Sequence, residues 1–207
     1  MPRLTPRLVR RVLLPASYLA FLFGTLISAE IFYRGRPFDA KAAVLSDLQS
    51  PDDNPHGYVA SAVGTAVFAM LLAPATLVFH QRLRKENPGL VLAGSVGFGV
   101  GLASAVAIGA LAPVTHGYTP LHIQLASAAF IGISAGTWLH LLAARAARSL
   151  LFFQFGAVLI VIFLCYGPVE FQNDHLLTGL AFWEWLLCVD CGVALYALAA
   201  AVDLLKV

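Results

Sequence analysis

The chain has 207 residues, of which 59% are hydrophobic and only 12% charged, and its mean hydropathy is +0.81. A soluble domain of this size carries about a quarter charged residues, so the composition excludes a soluble globular protein and predicts an integral membrane protein. The net charge of +2, with no basic run interleaved with aromatic residues, argues for no nucleic-acid partner.

A spanning helix needs roughly 20 mostly apolar residues to cross about 30 Å of hydrocarbon. Six stretches satisfy this, at about 12–33, 58–80, 90–112, 120–143, 150–169 and 177–202. The expected fold is an all-α six-transmembrane-helix bundle, a single domain over 1–207 with both termini on one side of the membrane. The first stretch follows Arg3, Arg7, Arg10 and Arg11, is longer than the apolar core of a secretory signal, and has no A-x-A ending near Ala29. It is expected to remain as a span. Glu30, near its outer end, stands four residues before Arg34, a spacing that suits a local ion pair or, alternatively, a place in the floor of a pocket.

Between the first and second spans lies the longest hydrophilic interval, Arg34 to Tyr58, with Ser46, Asp47, Asp52, Asp53 and His56. The second span leads to Arg82, Arg84 and Lys85, then to Asn87-Pro88-Gly89, a turn and helix restart. In the third, Gly97 and Gly101 form a G-x-x-x-G, repeated in small residues at Ala105 and Gly109. This marks a central packing helix, and the same spacing also suits a homodimer through Gly97 and Gly101. His80, Trp138 and His140 fall toward the opposite ends of their spans, where interfacial anchoring is expected. The last span carries two acids, Glu184 and Asp190, together with Cys188 and Cys191. Cysteines within apolar runs behave as small hydrophobes and imply neither a disulfide framework nor a redox compartment.

Ten of the thirteen Lys and Arg residues lie at the termini, at Arg82 to Lys85, or at Arg145 and Arg148. The positive-inside rule makes that side cytoplasmic, with the Arg34 to Tyr58 loop outside a cell membrane. On the outer side, Asn54-Pro55, Thr119-Pro120 and Asn173-Asp174 read as cap and first-turn pairs, each followed closely by a histidine. His56, His122 and His175 are thus expected at one level in the first turns of three helices, with His116 and the carboxylates Asp47 and Asp174 nearby. Such a cluster suits proton chemistry or a zinc ion on Asp47, His122 and His175. The alternative is structural: histidines at the interface, and Asp or Asn in turns and caps. A carboxylate inside the membrane costs a few kcal/mol, so Glu184, beside Trp185, is expected to face the bundle and take part in the site.

The Glu184-Trp185 pair in the last span and Ser46-Asp47 in the first loop resemble the motifs of the FRAG/DRAM/Sfk family of six-span membrane proteins, and Pro120-Leu121-His122 at the fourth span is similar to related bacterial six-span proteins of unknown function. The resemblance implies a lipid-associated role; the acidic turn Pro51 to His56 departs from the pattern. A more distant similarity, to the CREST membrane hydrolases, implies zinc held by histidines and an aspartate, but their H-x-x-x-H is absent. Three readings stay open. One is a lipid-interacting protein with an outward polar pocket near Asp47, His122 and Glu184. Another is a zinc-dependent hydrolase of a lipid amide or ester, with Ser46, Asp47 or Glu184 as catalytic candidates. The third is a proton-coupled transporter using Glu184 and Asp190.

Overall fold

The computed structural model describes residues 4–35, 45–114, 119–145 and 180–205. The described residues are helical, with no strand among them, and five helices are long and apolar enough to cross a membrane. They are α1 (Pro6–Tyr33), α3 (Tyr58–Leu83), α4 (Pro88–Leu111), α5 (Pro120–Ala143) and α6 (Leu180–Leu204), with a short α2 (Leu45–Gln49) between the first two. The expected span at 150–169 lies outside the described residues.

Local chemistry accounts for the helix starts. Asn87 caps α4 by accepting from the Leu90 N–H at 3.1 Å, and Thr119 caps α5 by accepting from the His122 N–H at 3.4 Å, each followed by proline at the first helical position. In α1 the turn at Val9–Leu13 is widened to a π-helix just ahead of Pro15. Pro15 has no N–H to give the carbonyl four residues back, and a wider turn there relieves the clash of its ring.

The helices are apolar outside and small or polar inside. Phe23, Leu26, Leu92 and Val189 are each at least 60% exposed, whereas Ser17, Ser28, Ser61 and Ser134 are fully buried. Water would penalise such a surface, while hydrocarbon does not, and small buried residues let helices approach closely. This fits an integral membrane protein.

Neighbouring helices are locked by glycine. Gly97 and Gly101 of α4 lie on Gly132 and Gly136 of α5, so close that a Cβ on Gly132 would stand 2.6 Å from the Gly101 nitrogen and 2.7 Å from the Gly97 carbonyl oxygen. The G-x-x-x-G thus packs α4 on α5 within the chain. Gly24 and Gly64 join α1 to α3 in the same way.

Among the described helices the alternation of direction breaks once. Ala20 and Gly24 face Gly64 and Ala60, so α1 and α3 are antiparallel; Gly94 faces His140 and Gly101 faces Ile133, so α4 and α5 are too. In α6, Asp203 pairs with Arg10 at 3.1 Å and Gly192 meets Tyr18, which makes α6 antiparallel to α1. His122 and Glu184 share one cavity wall, and further along both helices Ser134 Oγ lies 3.4 Å from Cys191 Sγ. Thus α5 and α6 run in the same direction.

At the end of α5 the backbone of Arg145 turns into the left-handed region, with φ of 54°. A side chain there costs about 1 kcal/mol relative to glycine. Arg145→Gly should therefore raise the thermal midpoint in detergent, and an unchanged or lower midpoint would show that the arginine side chain offsets the strain.

Candidate functional site

The first polar interval is not a surface loop throughout. Leu45, Leu48, Gln49 and Ser50 are buried, and α2 packs among α1, α3 and α6. Its fold-back is held by a knot of hydrogen bonds. Asn54, 2% exposed, donates through Nδ2 to Ser28 Oγ at 2.8 Å and to the Ser28 carbonyl at 3.1 Å. Ser28 Oγ donates in turn to the Leu48 carbonyl at 2.7 Å, and Asn54 Oδ1 accepts from the Gly57 N–H at 3.1 Å. The expected role of Asn54, capping the second span, is not the one it has: the helix starts at Tyr58, and Asn54 ties the loop to α1. In consequence His56 does not occupy a first helical turn: it lies in the turn before Gly57 and is exposed.

The fold-back brings α2 against the last helix. Glu184, 7% exposed, accepts the Leu45 N–H through Oε2 at 2.9 Å. The first N–H groups of a helix lack partners within it, and the positive end of even a short helix favours a carboxylate. The other carboxylate oxygen has no hydrogen bond among the described residues. Glu184 lines a cavity of about 110 Å³. Around it stand Ser46, Gln49, Thr65 and His122 as polar groups, with Phe68, Phe130, Ile133 and Cys188 among the apolar ones.

Several expected site residues therefore meet. Ser46, His122 and Glu184 share the cavity, and His122 is 5% exposed in the first turn of α5. Asp47, half-buried and next to Ser46, is close enough to Glu184 to act on it electrostatically. Trp185 turns away and lines a separate groove between α1 and α6. Glu30 is exposed on α1 and is not part of the cavity wall, which removes it from the pocket floor. His116, Asp174 and His175 lie outside the described residues. Of the three expected zinc ligands only Asp47 and His122 are thus described, and among the described residues no three His, Cys, Asp or Glu side chains are grouped to hold a metal ion.

Two features escaped sequence reasoning. Gln49 donates to Thr65 Oγ1 at 2.7 Å, pinning α2 to α3 beside the cavity, and nothing in a loop glutamine signals such burial. At the opposite end His140 is not an interfacial anchor. It is fully buried against the rings of Phe79 and Phe98, and its Nδ1 donates to the Gly136 carbonyl at 2.7 Å. The backbone of Gly94 leaves it room, since a Cβ there would stand 2.5 Å from Nδ1. The glycine four residues before the histidine is the one available signal.

Compared with protein-family models, with curated proteins and with solved structures, the chain matches none.

Proposed function

We propose that this chain is a six-span protein of the cell membrane whose Glu184 cavity opens from the outer side and engages the polar end of a membrane lipid. The observation that carries the reading is Glu184 itself, with one oxygen bound to the Leu45 N–H and the other toward an otherwise mostly apolar cavity. A carboxylate oxygen that faces a mostly apolar cavity without a protein donor favours a ligand that supplies one. The motif resemblance at Ser46-Asp47 and Glu184-Trp185 supports a lipid-associated role from a separate direction.

Six spans are supported by helix direction. Because α5 and α6 run the same way, a sixth crossing between them would keep the spans alternating, and the apolar run at 150–169 has the length for one crossing. The Arg10–Asp203 ion pair supports placing both ends of the bundle on one face, and the lysine and arginine count supports calling that face cytoplasmic. In a background with Cys165, Cys188 and Cys191 replaced by alanine, a cysteine at exposed Asp53 should react with an impermeant thiol reagent in intact cells, and one at exposed Glu86 should react only after lysis. The reverse pattern inverts the topology and closes the cavity to the outside.

The lipid reading is tested by extraction. Wild-type protein and Glu184→Gln, purified in the same detergent, are analysed for bound lipid by mass spectrometry. Glutamine keeps an oxygen to accept from Leu45, so the variant should unfold within about 1 kcal/mol of wild type while losing a lipid that wild type retains. Glu184→Leu, which removes the acceptor, should cost about 1–3 kcal/mol. Identical lipid content in wild type and Glu184→Gln would remove Glu184 from any lipid site.

A further inference from the structure

The Glu184 cavity has a neighbour on the lipid-facing side. Between α1 and α6 lies a groove of about 480 Å³ whose α6 wall runs from Trp185 to Tyr196. Its lips are exposed, with Leu22, Val189 and Val193 between 44% and 64% accessible. Tyr18, Phe21 and Cys188 line both the groove and the cavity, so they form the partition between the two. The Tyr18 ring lies on Gly192, where a Cβ would come within 2.9 Å of it. At this level α1 and α6 are separated only by an aromatic side chain, packed edge-on against Phe68.

Size decides which part of a ligand goes where. The inner space of about 110 Å³ is smaller than the roughly 150 Å³ that holds a benzene molecule in a dry protein cavity. It has room for a small head and not for a tail. The groove, at about 480 Å³, falls in the roughly 300–1,000 Å³ range of sites that hold ligands. It follows α6 for eleven residues, about 16 Å at 1.5 Å per residue, away from the end where Glu184 stands and toward the middle of the span. That is the course of a hydrocarbon tail in the leaflet on the Glu184 side.

Charge decides the head. Among the described residues no lysine or arginine lines either space. A phosphate or carboxylate head would meet Glu184 without a counter-charge, whereas a head rich in N–H donors satisfies its open oxygen.

We propose that the groove between α1 and α6 takes the tail of a single-chain primary amine whose head passes Tyr18, Phe21 and Cys188 to reach Glu184. This rests on the Glu184 cavity being a lipid site, and adds the chemical class of the lipid and its way in from the bilayer.

The test uses the full chain in detergent, titrated with dodecylamine, dodecanol and dodecanoate and read by native mass spectrometry. Dodecylamine should bind saturably and about tenfold or more tightly than the other two. Glu184→Gln and Val193→Trp, the latter filling the groove, should each weaken it about tenfold or more, while Val96→Trp on the exposed face of α4 should not. Independently of those variants, dodecylamine carrying a photoreactive diazirine at the tail end should label wild-type protein within 185–196. Dodecanoate binding as tightly as the amine overturns the head assignment. Labelling elsewhere, with Val193→Trp binding normally, overturns the route but leaves the Glu184 site standing. If none of the three amphiphiles binds, the amine proposal fails, and a lipid retained by wild type but not by Glu184→Gln then shows that the broader reading survives.

Discussion

Gly132→Ala is expected to destabilise the bundle by about 3 kcal/mol or more and to leave little folded monomer after heating in detergent. Overpacking typically costs about 1–3 kcal/mol where neighbours can give way. Here they cannot, because the added methyl would meet the Gly101 nitrogen at 2.6 Å, the Gly101 Cα at 2.7 Å and the Gly97 carbonyl oxygen at 2.7 Å, all of them backbone. The only relief is to move α4 and α5 apart along their whole contact, which also loosens Phe98 where it packs on Gly136. Gly99, on the same helix as Gly97 and Gly101, has nothing within 4 Å of the place a methyl would take. Gly99→Ala should therefore leave the midpoint unchanged or raise it slightly, since alanine is the better helix former. Equal behaviour of the two variants, followed by monomer retention on size-exclusion chromatography after heating, would contradict the close packing of these helices.

The second large effect concerns the knot that folds the first loop back. Asn54→Leu has a similar size but removes the donors to Ser28 and the acceptor for the Gly57 N–H. Each buried polar group left without a partner costs about 1–3 kcal/mol, so the variant should lose about 2–4 kcal/mol. The loss should be shared with Ser28: Ser28→Ala combined with Asn54→Leu should cost less than the two single changes added together, by about 1 kcal/mol. Released from α1, the segment 45–54 should become sensitive to protease in the folded protein. Additive losses with no new cleavage would mean that Asn54 contributes locally and does not hold the loop.

The long apolar helices were legible because hydrocarbon thickness imposes a length that composition alone reveals. The expected 90–112 and 120–143 agree with Pro88–Leu111 and Pro120–Ala143 to within two residues, helped by the Asn87-Pro88 and Thr119-Pro120 signatures. Which face of each helix turns inward was less legible, because in a membrane both faces are apolar and the inner one differs mainly in being small. Gly97 and Gly101 carried that signal in their spacing; Gly132 and Gly136 repeat it on α5. The site was half legible. Glu184 stood out as an acid in an apolar run, and Ser46 and His122 join it at the cavity. Its partner did not stand out, since a backbone N–H at Leu45 has no side-chain signature and lies 139 positions away. Asn54 misled for a related reason: Asn-Pro is a turn signature whether the amide caps the next helix or reaches Ser28, 26 positions back.

The bond between Leu45 and Glu184 also has a meaning in time. A ribosome adds about 5–20 residues per second, so the 139 positions between them correspond to roughly 7–28 s during which α2 is already made and its carboxylate acceptor is not. During that interval the nascent membrane protein holds a short helix with an uncapped end and no last helix to close on. Arg10 likewise waits for Asp203. The cavity is thus completed last, and a chain interrupted before Glu184 would leave the Leu45 end of α2 without its carboxylate acceptor.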